Sequence, residues 1–252
     1  MRILGINCMN HDAAMAVVDG TKILWAAHAE RYSRIKNDHF LNQAIVNEAK
    51  TYGPFDKVVY YEKPLLKKTR QFYAGQYSDS LSYTEMPLWN LERYGIKIDE
   101  YINHHTSHAA AGYFTSPFKD EGATILTVDA IGEWDTASIS TAEKVWIERK
   151  ETIRYPHSIG ILYSAFTQRC GLKPAEEEYI LMGMAAYGKP IYKDDIYEDF
   201  VEQSPFKLKK NLHRGLRDWH PEADLMDLAC LLYTSDAADD TPCVDLGGRR
   251  II

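Results

Sequence analysis

Arg2-Ile3-Leu4-Gly5-Ile6-Asn7-Cys8-Met9 opens the chain, and with Ala13-Ala14-Met15-Ala16-Val17-Val18 and Lys22-Ile23-Leu24-Trp25-Ala26-Ala27-His28-Ala29 it decides the fold. Each run is short, apolar and bounded by turn residues, so each predicts a strand. Asp19-Gly20 stands between the second and third, where glycine supplies the positive φ of a tight hairpin turn. Leu41 to Thr51 follows with Leu41, Ala44, Ile45 and Ala49 on one helical stripe. Gly53-Pro54 ends it, and Lys57 to Tyr61 predicts another strand.

Three antiparallel strands, a helix and a further strand form the opening of a ribonuclease H-like unit. Residues 65 to 98 are aromatic and polar with mixed periodicity, and read as helices joined by loops. The pattern then begins again, with strands predicted over Ala123–Val128, Thr136–Thr141 and Val145–Arg154 and a helix over Ser164–Cys170, closed by Gly171 as a C-cap. Two copies predict a duplicated α/β fold of the actin and sugar-kinase kind, with a cleft between the halves and the second half incomplete. The expected division is residues 1–120 and 121–229.

Composition narrows the class. The 252 residues are 45% apolar and 26% charged with formal charge -7, enough for a substantial core. An acidic balance argues against nonspecific nucleic-acid binding, which needs a basic face. No apolar run approaches the roughly 18 residues that cross a bilayer, and the start runs straight into a strand. Cys8, Cys170, Cys230 and Cys243 are scattered without metal-type spacing, as in a reduced, cytoplasmic protein.

The chemistry concentrates in Ile102-Asn103-His104-His105-Thr106-Ser107-His108-Ala109-Ala110-Ala111. His104 and His108, four apart, share one helix face and offer a two-pronged grip on a transition metal. Asp129 ends an apolar, β-branched run, where an acid commonly faces a ligand crevice. The three make a two-histidine, one-carboxylate set with open positions, suited to iron or zinc. By itself Asp129 reads as a turn residue, and the histidines read equally as a solvated helix start.

Other stretches leave two readings open. His11 and Asp12, where the chain reverses, suit a general base and orienting acid, or an Asx-type turn. Glu30 to His39 holds Arg31, Arg34 and Lys36, suited to an anionic substrate or to a solvated loop. Ser158–Thr167 and Glu176–Gly188 are neither a Walker-type loop nor a dinucleotide fingerprint, and read by spacing as core.

In this order the pieces resemble the O-carbamoyltransferase family, which includes nodulation-type and antibiotic-pathway members. The resemblance runs through Gly5-Ile6-Asn7 with His11-Asp12-Ala13-Ala14, Glu30 to Lys36, His104 to Ala110, Val128 to Trp134, Leu162 to Thr167 and Glu178 to Gly188. It implies an actin-like N-terminal domain that passes a carbamoyl group from carbamoyl adenylate to a hydroxyl of a small-molecule acceptor. A C-terminal YrdC-like domain, absent from this chain, would make the adenylate from carbamoyl phosphate and ATP. By the same resemblance His104, His108 and Asp129 are ligands of one divalent transition metal, His11 and Asp12 lie beside the acceptor hydroxyl, and Lys36 meets the anionic part of the donor.

The chain departs from the family at Ile180, where a lysine is usual, and at Ala130, where glycine is usual. Pro221 to Ala229 predicts the first turns of a helix. From about residue 230 the text changes and resembles adapter read-through, so 230–252 reads as a non-native tail. By the resemblance the family would instead continue the 221–229 helix into a Gly-rich phosphate segment and a fourth metal ligand, an aspartate. The expectation is a carbamoyltransferase fragment, inactive alone; an actin-like kinase or ATPase and a non-catalytic binding module of the same fold are the competing readings.

Overall fold

A computed structural model describes residues 1–10, 12–83, 86–119, 121–230 and the backbone of 250–251. The chain divides into two compact units, Met1–Ser107 and His108–Ile252.

The first unit is built on a five-stranded sheet. Strands β1 (Arg2–Asn7), β2 (Ala14–Asp19) and β3 (Lys22–His28) form an antiparallel meander; β4 (Lys57–Tyr60) and β5 (Glu100–Tyr101) add in parallel, giving the order β3-β2-β1-β4-β5. Gly20, at φ 59, makes the β2–β3 turn. Leu4 lies opposite Val17 and Ile6 opposite Met15, so four apolar side chains share one face. Short helix α1 (Glu30–Ser33) follows β3, and α2 (Gln43–Lys50) supplies Ile45, Val46 and Ala49 to the core that this face builds. Asn42 caps α2 by accepting from the Ala44 and Ile45 amides, each at 3.1 Å. Residues 65 to 98 are helical in pieces: α3 (Pro64–Tyr73), α4 (Tyr77–Leu81) and α5 (Pro87–Glu92), two of them opened by proline. The two-residue β5 carries too little pattern to be read from sequence.

Helix α6 (His104–Thr115) carries the chain into the second unit. There β6 (Ala123–Gly132), β7 (Asp135–Glu143) and β8 (Trp146–Arg154) repeat the antiparallel meander. Ala109 and Tyr113 of α6 pack on Ala123, Ile125 and Ala142. Helix α7 (Ile159–Arg169) starts five residues before the expected Ser164, because Ser158 caps it by accepting from the Ile161 amide at 3.0 Å. Phe166 of α7 is fully buried among the rings of Phe200 and Trp219, at 5.8 and 5.5 Å. Helices α8 (Glu178–Ala185) and α9 (Lys193–Phe200) and the small hairpin β9 (Val201–Gln203) and β10 (Phe206–Leu208) follow. Only Leu181 and Ala185 of α8 are buried, while Tyr179 and Met182 are exposed, so this stretch is surface helix as much as core.

Residues 225–230 are helical, and the cap is Asp224, which accepts from the Met226 amide at 2.8 Å, rather than Pro221. Most of the expected non-native tail, 231–249 and 252, lies outside the described residues. Arg250–Ile251, β11, pair in parallel with Ala123 and Thr124 on the free edge of β6. The three-stranded meander followed by a helix is thus present in both units. No helix among the described residues is long and apolar enough to cross a membrane.

Candidate metal centre

The first histidine is positioned by the end of β4. Tyr60 is fully buried and its hydroxyl donates to the Cys8 carbonyl at 2.6 Å, tying β4 to the segment after β1. Burial pushes that phenol far above its ordinary range. The chain then passes through Tyr61 to Glu62. Ser107 Oγ donates to the Tyr61 carbonyl at 2.8 Å, which fastens the first turn of α6 at this point. The Tyr61 ring lies 5.3 Å from the ring of His104. His104 is buried, with Nδ1 3.8 Å from Glu62 Oε2, and Lys67 Nζ donates to Glu62 Oε1 at 3.1 Å.

One turn along α6 stands His108, its side chain 54% exposed, with Nε2 3.9 Å from Asp129 Oδ2. Asp129 does not end its strand as expected. β6 continues to Gly132 through an irregularity between Val128 and Gly132, and this local bulge lets Asp129 leave the regular alternation. Its Oδ1 accepts from the Ala130 amide at 2.7 Å, leaving Oδ2 toward His108.

Helix α7 holds this part of β6 in place. The Ser158 hydroxyl that caps α7 also donates to the Ala130 carbonyl at 2.7 Å. A Cβ at Gly160 would stand 2.6 Å from Ala130 Cα and 2.9 Å from the Asp129 carbonyl carbon, so only glycine permits this approach. Ala130 is not among the positive-φ residues, so alanine in place of the family's glycine carries no backbone strain.

One ligand atom from each of His104, His108 and Asp129 falls within 4.8 Å of the others. Metal bonds of about 2.0–2.2 Å place donors roughly 3–3.5 Å apart around one ion. The donor chemistry matches: two imidazoles with one carboxylate suit a borderline divalent ion such as zinc or iron. The residues present therefore fit the group. A cavity of about 940 Å³ lies near the start of β6, lined by Glu121 to Thr124, Thr141 to Lys144, Trp146, Glu148 and Lys150; it contains none of the three.

The remaining site residues sit in the first unit. Asp12 is half-buried at φ 51 in the β1–β2 connection, and its carbonyl accepts from Asn7 Nδ2 at 3.3 Å. Ala13 N donates to the Asp38 carbonyl at 2.7 Å and Met9 N to the His39 carbonyl at 2.8 Å. This stitches the connection to the loop that carries Lys36, whose side chain is exposed. His11 lies outside the described residues. The residue that sequence reasoning missed is Glu62. Its signal was the one used for Asp129, an acid just beyond a buried strand.

A duplicated ribonuclease H-like opening defines an actin-like α/β fold, and His104, His108 and Asp129 gather on it as a two-histidine, one-carboxylate cluster. Residues 86–218, more than half the chain, match the family described as Carbamoyltransferase N-terminus, and the chain belongs to that family. It is 33% identical over 229 residues to the uncharacterized protein sll1178 of Synechocystis sp., covering 79% of this chain and 37% of that one. It is 26% identical over 216 residues to the nodulation protein NolNO of Sinorhizobium fredii, covering 78% and 30%. The chain thus spans between 30% and 37% of the length of these relatives. The Aquifex aeolicus PPX-GPPA enzyme aligns over 95% of this chain and 92% of its own at 12% identity and TM-score 0.36, too loose a likeness to bear on chemistry.

Proposed function

We propose that this chain is part of a carbamoyltransferase, the part that passes a carbamoyl group from carbamoyl adenylate to a hydroxyl of a small-molecule acceptor. The observation that carries the reading is the convergence of His104, His108 and Asp129 in a chain of the Carbamoyltransferase N-terminus family. Residues 1–120 and 121–229 are taken as its two ribonuclease H-like halves. Carbamoyl phosphate and ATP are the co-substrates of the whole protein, supplied through a YrdC-like domain beyond this chain.

His104, His108 and Asp129 would hold one divalent ion, which when bound acts as a Lewis acid toward the carbamoyl carbonyl. The chain's own residues do the rest. The acceptor oxygen attacks the carbamoyl carbon, the new C–O bond forms, and the bond to the adenylate phosphate breaks, releasing AMP. His11 takes the hydroxyl proton, with Asp12, beside it in sequence, as the orienting acid. Lys36, on the loop stitched to the same connection, meets the anionic adenylate. No contact is assigned to Ile180, half-buried in α8, in place of the family's lysine.

An actin-like kinase or ATPase has no need of the histidine pair. The test is transfer of radiolabelled carbamoyl from carbamoyl phosphate, with ATP, by residues 1–229 continued with the remaining length of a longer relative. The expected result is labelled acceptor that disappears in the Asp129→Ala protein. Phosphorylated acceptor instead would contradict the proposal. The 252-residue chain alone is expected to give no product.

A further inference from the structure

We infer that Glu62 is a positioning residue for His104: it holds the Nδ1 edge of the ring and so assigns Nε2 as the metal-facing nitrogen. This rests on the metal reading of the triad. An imidazole offers two nitrogens that point in different directions, and the partner of one decides the use of the other. Metal-binding histidines commonly give their second N–H to a carboxylate, which orients the ring and makes it a better ligand.

Glu62 has the necessary place. It is only 4% exposed and His104 only 6%, so neither ring nor carboxylate is positioned by solvent. Oε1 accepts from Lys67 at 3.1 Å, while Oε2 faces His104 Nδ1 at 3.8 Å, an ion-pair separation too long for a hydrogen bond. The Lys67 ammonium offsets the buried negative charge, which would otherwise be costly. The Tyr61 ring packed on His104, and the Ser107 bond to the Tyr61 carbonyl, limit how far the imidazole can turn away. These parts come from the end of β4, from α3 and from the first turn of α6.

Zinc titration of the 252-residue chain, by competition with a chelating dye, tests the inference. Glu62→Gln keeps an oxygen for Lys67 and removes the charge facing His104. It is expected to weaken zinc about 10- to 100-fold with an unchanged circular dichroism spectrum. Zinc affinity equal to wild type would overturn the inference. Long-range ¹⁵N–¹H correlations of the histidine rings in the wild-type chain decide the matter even if the variant does not fold. Zinc-loaded chain should show His104 protonated on Nδ1 and metallated on Nε2; metal on Nδ1 overturns the assignment. If wild type binds no zinc, the metal reading fails, yet the ring still reports on Glu62. In mildly alkaline, metal-free buffer, a proton on Nδ1 supports the Glu62 contact and a proton on Nε2 overturns it.

Discussion

The two sheets open alike and bury opposite kinds of residue. In β1 and β2 the buried face holds Leu4, Ile6, Met15 and Val17, all at 2% exposure or less. In β6 and β7 the buried face is smaller and partly polar: Ala123, Ile125 and Thr127 opposite Ala142, Ser140 and Ser138. The bulky residues of the second sheet lie on the other face, where Leu126 and Val128 are each 48% exposed. One sheet is held by apolar burial and the other by close approach of small residues, caps and ion pairs. Asp135, buried at the start of β7, shows the second style, with Arg149 at 2.6 Å and Arg154 at 3.3 Å.

A leucine from each sheet gives the sharpest way to break the comparison. Leu4→Ala should cost about 2–5 kcal/mol, whereas Leu126→Ala should stay within about 0.5 kcal/mol. Denaturant unfolding measures both, and equal losses would mean that the two sheets are held in the same way.

Gly160→Ala is the next largest. Its Cβ meets backbone rather than a movable side chain, so a loss of about 1–3 kcal/mol is expected in the second unit. Because the collision is with Asp129 and Ala130, zinc affinity should fall as well. A drop in stability with zinc binding unchanged would show that α7 does not position Asp129. Ser158→Ala removes the cap of α7 and its bond to β6, and thermal unfolding should register about 1 kcal/mol.

The smallest signal comes from two buried thiols, Cys8 in the first unit and Cys170 in the second. Burial pushes Cys8 up to about 12 and Cys170 up to about 11, from an ordinary 9.0. Folding therefore favours the neutral thiol, and this contribution is full below pH 9.0 and is lost as pH rises toward those values. Neither cysteine should react with iodoacetamide at neutral pH until its unit opens. Pulsed alkylation read peptide by peptide across a urea series tests this, and labelling of either in the native chain would contradict it.

The comparison also explains what was legible in sequence. The opening strands were readable because turn residues separate short apolar runs, and Leu4 and Ile6 alternate against smaller neighbours. Ala123-Thr124-Ile125-Leu126-Thr127-Val128 has apolar groups on both faces, so a strand was evident but its buried side was not. His104, His108 and Asp129 were visible because spacing on one helix and an acid late in a strand are local signals. Glu62 carried the same signal, but its partner lies 42 positions on at His104, a contact created only by the packing of α6 on the end of β4. The start of α7 was missed because Ser158 caps it before the apolar periodicity becomes clear.

The central claim is that His104, His108 and Asp129 act together as one metal centre. Calorimetric zinc titration of the 252-residue chain and of its His104→Ala, His108→Ala double variant tests it most directly. The account predicts one zinc per chain in the wild type and loss of that site in the variant. The same stoichiometry and affinity in both would contradict it.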